Sequence, residues 1–247
     1  MSISAEVSMY TYGYSSDLLY MLLVVVPTLV ISALAKYFVD DAYSKWIAHR
    51  NAPNMTGKQI GQQLITAEAL SGVRFETIPG KLTDHYTPSS NVVSLSEAIA
   101  TENSVASMAI VAHELGHAQQ HAQRSAWLAV RSIAAPAAVI SPYVAVPLIT
   151  LGLIVEVAEL MWLGVVCFGA VALFMILTVP VEIDASRRGL TMLEKSGLLY
   201  NDADREGARE VLRAAAFTYI AAMIQSLLQL LHYAMKVLSY ARYFKKR

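Results

Sequence analysis

Residues 132–181 read SIAAPAAVISPYVAVPLITLGLIVEVAELMWLGVVCFGAVALFMILTVPV. The only charged side chains in this stretch are Glu156 and Glu159, which divide it in two. Ser132 to Val155 and Leu160 to Val181 each exceed the roughly 20 apolar residues that cross a hydrocarbon core. Only Glu156-Val157-Ala158-Glu159 separates them, so the chain must turn back at once. The stretch therefore predicts a transmembrane hairpin.

Two further runs, Leu18 to Ala35 and Ala214 to Met235, also lack Asp, Glu, Lys and Arg. Over the whole chain, 55% of residues are hydrophobic and 15% charged. An average globular domain has about 25% charged residues. Four helices buried in a soluble bundle are the alternative, and this composition speaks against it. The formal net charge of zero offers no electrostatic footprint for nucleic acid, and none is expected as a partner. The single cysteine, Cys167, excludes a disulfide within the chain and reads as a small apolar-face residue. The lipid bilayer is the expected surrounding.

Basic residues set the orientation. Met1 to Asp17 contains no Lys or Arg, whereas Lys36, Lys45, Arg50, Lys58, Arg74 and Lys81 follow the first run. Residues 18–38 therefore read as a signal anchor with its N-terminus outside, in a multi-pass cell-membrane protein. Residues 40–130 fall in the cytoplasm, the hairpin spans 132–155 and 160–181, and residues 182–213 are cytoplasmic again. The last segment, 214–238, departs from the pattern. A crossing would place Lys236, Arg242, Lys245, Lys246 and Arg247 outside. Gln225, Gln229, His232 and Lys236 recur at helical spacing. The segment either crosses with that stripe toward the bundle or lies in the interface. All of this describes one domain, 1–247, mainly α.

Between the first run and the hairpin, Thr56 to Leu70 has helical periodicity, with Thr56 at the N-cap position. Val73 to Ile78 and Asn91 to Leu95 alternate as strands do and predict a small β-hairpin sheet. The second of these strands is expected to offer a free edge to an extended polypeptide. Ser104 to Ala122 lacks proline and is apolar on most faces, so it reads as a buried helix.

That helix carries Ala112-His-Glu-Leu-Gly-His117, an H-E-x-x-H motif. Two histidines four apart differ by about 40° around a helix and about 6 Å along it. Both imidazoles can reach one ion, and zinc favours such nitrogen ligands. Glu114 is placed to take a proton from the water at the metal's open position. An imidazole pair on an apolar helix also needs a physical reason, because unpaired polar burial is costly. One catalytic zinc ion supplies it.

The third ligand must come from elsewhere. A straight helix puts His121 about 12 Å from His113, too far to share the ion, so His121 reads as a surface or cleft residue. Glu156 and Glu159 sit at the far end of the hairpin. Glu182 and Asp184 follow its return, and they differ by about 200° around a helix, so only one can face the metal. Glu182 has the longer reach and is the expected ligand; Asp184 is left as a supporting partner.

The segments His113-Glu-Leu-Gly-His117, Leu82-Thr-Asp-His-Tyr86 and Glu182-Ile-Asp-Ala-Ser-Arg-Arg188 resemble the signatures of the YugP-like neutral zinc membrane metallopeptidases. The likeness runs from the first apolar run to beyond Arg188. More distantly, the chain resembles the HtpX-type peptidases and the CAAX prenyl proteases, which share a membrane hairpin between H-E-x-x-H and a glutamate ligand. The resemblance implies a gluzincin: His113, His117 and Glu182 on zinc, Glu114 as base. In the distant relatives an Asp four residues after the glutamate orients a ligand histidine. Ser186 stands at that position here, and the role passes to Ser186 or to Asp184.

His85 and Tyr86 are candidates for donating a hydrogen bond to a tetrahedral oxyanion, against a plain polar turn between strands. Arg188, or Arg187, could do the same or mark the membrane boundary. The expectation is a zinc endopeptidase acting on membrane or membrane-adjacent polypeptides, with its site facing the cytoplasm. Membrane protein quality control is the setting the resemblance implies. A homo-oligomer is compatible with the sequence. The rival is a scaffold with a structural zinc, closed by His85 or His121 as fourth ligand.

Overall fold

The computed structural model describes residues 18–244, with side chains through Tyr240. Residues 1–17, whose lack of basic residues carried the orientation, lie outside the described residues, as do Lys245, Lys246 and Arg247. Seven helices and three strands follow in the order α1 (Leu18–Ile47), α2 (Gly57–Ala67), β1 (Arg74–Ile78), β2 (His85–Thr87), β3 (Val92–Ser96), α3 (Glu97–Thr101), α4 (Val105–Ala122), α5 (Ala126–Ile154), α6 (Ala158–Lys195) and α7 (Asp202–Phe244). Four of them, α1, α5, α6 and α7, are long and apolar enough to cross a membrane. The protein is a mainly α, polytopic membrane protein with a small sheet.

The chain divides into two units. One contains Ala134–Ile176, the first helix as far as Leu34, and the last helix from Ala221. Its side chains are largely exposed apolar residues such as Val139 (68%), Tyr143 (80%) and Val166 (70%). That is sensible only where the solvent is lipid. Within this unit the two arms of the hairpin pack through small residues. A Cβ on Gly164 would lie 2.7 Å from the Ala145 carbonyl, and one on Gly152 2.6 Å from Met161. Small residues at these points let helices approach closely where no hydrophobic force drives them together. The turn between the arms passes through Glu156 with a positive φ of 57°. Two members of the polar stripe on α7 face α1: Gln225 donates to Ser32 Oγ at 2.7 Å, and the His232 ring lies 3.9 Å from that of Tyr20.

The other unit contains Ala35–Ile133 and Leu177–Ile220. Its core gathers Trp46, Ile60, Leu64, Leu95, Ile99, Met108, Leu115, Leu193 and Leu212 around α4. Thr56 caps α2 through a reciprocal pair with Gln59. The sheet differs from the expected hairpin. Its order is β1-β3-β2, with β1 parallel to β3 and β2 antiparallel to it. The two strands legible in the sequence therefore lie side by side in parallel, and the polar segment His85–Thr87 is itself a strand. β3 is paired on both flanks, which overturns the expectation of a free edge at Asn91 to Leu95; the edges belong to β1 and β2.

α4 meets α6 almost backbone to backbone. A Cβ at Gly116 would collide with the Ala185 backbone, and one at Gly189 would lie 2.7 Å from the Ala112 carbonyl. Glycine at both points brings the helix bearing His113 and His117 within reach of Glu182. Gly116→Ala should therefore cost about 1–3 kcal/mol by overpacking and separate the two helices. Thermal unfolding in detergent together with bound-zinc analysis measures both effects; an unchanged zinc content would contradict this account of the contact.

Candidate metal centre

α4 begins at Ser104, whose hydroxyl accepts the Ser107 N–H at 3.0 Å. Most of the helix is buried, so its polar residues need partners inside the protein. One turn separates His113 from His117, and their ring centroids lie 4.8 Å apart at 82°. Both Nε2 atoms stand 3.3 Å from the same Glu182 oxygen, Oε2. That oxygen is buried and has no hydrogen-bond partner, although two imidazole nitrogens surround it. The residues of this cluster offer one ligand atom each, all within 4.8 Å of one another.

The donor set fits zinc. Neighbouring ligands on a tetrahedral zinc with bonds of about 2.0–2.1 Å are roughly 3.3 Å apart. The observed 3.3 Å from the carboxylate to each imidazole equals that edge. Two imidazoles and one carboxylate leave a fourth position for a reactant, as catalytic zinc sites do. Among the described residues, neither His85 nor His121 joins the cluster.

The remaining nitrogens of the two histidines are held differently. His113 Nδ1 lies 3.1 Å from Ser186 Oγ. His117 Nδ1 lies 3.0 Å from Gln120 Oε1. Gln120 is fully buried and donates to the Val181 carbonyl at 2.8 Å and to Asp184 Oδ2 at 2.9 Å. Ser186 thus touches His113 directly, whereas Asp184 reaches His117 through Gln120. Asp184 is gripped in turn by Arg187 and by Arg188 Nε, each at 2.6 Å. Arg188 also donates to Gln119 and Gln123, which draws its guanidinium into this network.

The remaining candidates stand apart. His85 is exposed, with Nδ1 2.8 Å from the Thr83 carbonyl. The Tyr86 hydroxyl donates to Asn91 Oδ1 and lies 2.8 Å from His121 Nδ1. Its single proton is therefore spent within that group. Asp84, in the same segment, accepts the Ser96 N–H and hydroxyl and ties the chain before β2 to the junction of β3 and α3. Sequence reasoning passed over Gln120. It also passed over Tyr219 on α7, whose hydroxyl interacts with Glu182. A tyrosine inside an apolar run carries no signal of its own.

Glu114 is buried next to the two imidazoles. Burial pushes its carboxyl above the ordinary carboxylate range; the two histidines oppose the shift, and Glu182 and Asp84 reinforce it. That suits a group that must take a proton and later return it. For His117, burial alone would depress the pKa, but Glu182, together with Glu114 and Gln120, outweighs burial and raises it.

Residues 20–238 match the profile of a family described as "Putative neutral zinc metallopeptidase". The chain is 32% identical over 210 residues to the "Putative membrane protease YugP" of Bacillus subtilis (strain 168), covering 85% of this chain and 93% of that protein. No solved structure gives a significant match.

The raised His117 pKa makes a pH prediction. In the metal-free protein the protonated ring contributes stability fully present below its unfolded pKa, and lost as pH rises through the higher folded value. Zinc competes with that proton. The zinc-induced rise in Tm should accordingly grow as pH rises from below about 6.5 through that higher folded value. His113→Ala should remove most bound zinc at either pH; retention of more than about half of it, by metal analysis of purified protein, would contradict the cluster.

Proposed function

The chain belongs to the neutral zinc metallopeptidase family, and from that premise we propose an endopeptidase in which His113, His117 and Glu182 hold the ion and Glu114 is the general acid–base. The observation that carries the proposal is the buried Glu182 oxygen, 3.3 Å from both imidazole nitrogens and without a hydrogen bond. When bound, zinc polarises a scissile carbonyl and makes water acidic enough to be deprotonated near neutrality. Glu114 accepts the water's proton as the oxygen attacks the carbonyl carbon. The same carboxyl then passes the proton to the departing amine nitrogen, so it ends ionised as it began. Burial of Glu114 favours this exchange because it brings the carboxyl closer in pKa to its task.

His113 and His117 act as neutral ligands, each with Nδ1 engaged behind it and Nε2 turned to the Glu182 oxygen. Ser186 and Asp184 belong to the layer that orients them. Polypeptides are the substrates that follow from peptidase activity. The proposal narrows them to membrane or membrane-adjacent chains and places the protein in membrane protein quality control. The four apolar helices support the first of these. The basic residues between α1 and the hairpin and again after Glu182 support a site opening to the cytoplasm in the cell membrane.

Glu114→Gln should lower cleavage of a fluorogenic peptide by about 10²–10⁴-fold while zinc stays bound. Cleavage at the wild-type rate with zinc retained would rule out Glu114 as the base. Orientation has its own test. Single cysteines at Lys58 and Arg205 should resist a membrane-impermeant maleimide in intact cells and react after the cytoplasmic face is opened; labelling in intact cells would reverse the topology.

A further inference from the structure

Gln120 links a metal-binding candidate on α4 to the backbone of α6. It is fully buried, and each of its polar atoms has a partner. The Val181 carbonyl and the ionised Asp184 carboxylate can only accept hydrogen bonds. The Gln120 nitrogen must therefore face them, at 2.8 and 2.9 Å. That fixes the orientation of the carboxamide and turns Oε1 toward His117 Nδ1, 3.0 Å away. An amide oxygen only accepts, so His117 Nδ1 must carry the proton. Its other nitrogen, Nε2, is left to the Glu182 oxygen and the ion.

We propose that Gln120 is a positioning residue that imposes the Nδ1–H tautomer on His117 and presents Nε2 to the metal, its own orientation being dictated by the Val181 carbonyl and Asp184. The inference rests on the metal-site assignment above. It explains why a carboxamide stands here and not the carboxylate that commonly backs a metal-binding histidine. The position needs an acceptor on one side and two donors on the other, and Glu cannot supply both. It also separates the two ligand histidines. The Ser186 hydroxyl beside His113 can donate or accept, so it sets no tautomer. The Val181 carbonyl belongs to the residue before Glu182, so one amide places His117 relative to the helix that carries the carboxylate.

The test compares zinc affinity, by chelator competition in detergent, for wild type, Gln120→Leu, Gln120→Glu and Ser186→Ala, with the visible spectrum of the cobalt-substituted forms. Gln120→Leu should weaken zinc binding by about 10–100-fold and alter the cobalt bands, as losing the partner behind a ligand does. Gln120→Glu should recover none of that loss, because a carboxylate has no donor for the Val181 carbonyl or for Asp184. Wild-type zinc affinity in either Gln120 variant would overturn the inference, as would a weakened affinity with unchanged cobalt bands, the mark of a residue that merely ties two helices together. Ser186→Ala should lose less than Gln120→Leu; an equal or larger loss would also count against it. Should Gln120→Leu fail to fold, nitrogen-15 NMR of histidine-labelled, zinc-loaded wild type decides the matter. A proton on His117 Nδ1 supports the inference, and one on Nε2 overturns it. Wild type without measurable zinc affinity would bring down the metal assignment itself, whereas a zinc-binding wild type with an indifferent Gln120 refutes this inference alone.

Discussion

A carboxylate oxygen buried without a hydrogen bond is among the more expensive things a protein can hold. Glu182 Oε2 is such an atom, and it faces two imidazole nitrogens. Protonated histidine could neutralise it in part, and the raised pKa of His117 expresses that attraction. A divalent cation does so more completely, and all three donors then point at one charge. Much of the surrounding structure can be understood as the means of keeping this carboxylate dry and opposite that pair.

Those means are chiefly close approach and a second layer of polar contacts. Gly116 and Gly189 remove the side chains that would hold α4 and α6 apart. Ser186 and Gln120 then engage the outward nitrogens of the two imidazoles. Behind Gln120, Asp184 is clamped by Arg187 and Arg188, and Arg188 reaches back to Gln119 and Gln123 on the motif helix. The polar layer thus joins the two helices, and Gln119 extends it to Glu68 at the end of α2. Its members lie at i, i+3 and i+4 spacings, so each helix presents several at once.

What the sequence discloses follows the range of the interactions. The motif helix and its two histidines are local facts, set by spacing along one helix. Glu182 is legible because an apolar hairpin, charged only at its far turn, lies between it and the motif and leaves few carboxylates on the return side. The four long apolar helices are legible from composition alone. The sheet is not. β2 is three polar residues without alternation, and the parallel pairing of β1 with β3 depends on contacts made across the whole segment between them. Gln120 escaped notice because a glutamine near the end of a helix is ordinary until a carbonyl and a carboxylate from another helix are set against it. Arg188 was weighed as a catalytic group or a membrane boundary marker, and its partners on α4 could not be inferred from its neighbours in the chain.

Chain order has a consequence for when the centre can exist. His113 and His117 leave the ribosome first, then Ala126 to Val181, and Glu182 only afterwards. Translation at about 5–20 residues per second leaves several seconds during which the histidines are exposed without their carboxylate. The intervening stretch is the apolar hairpin, which cannot remain in water. With the proposed ligand set, the centre cannot close on the nascent polypeptide until the hairpin has been synthesised.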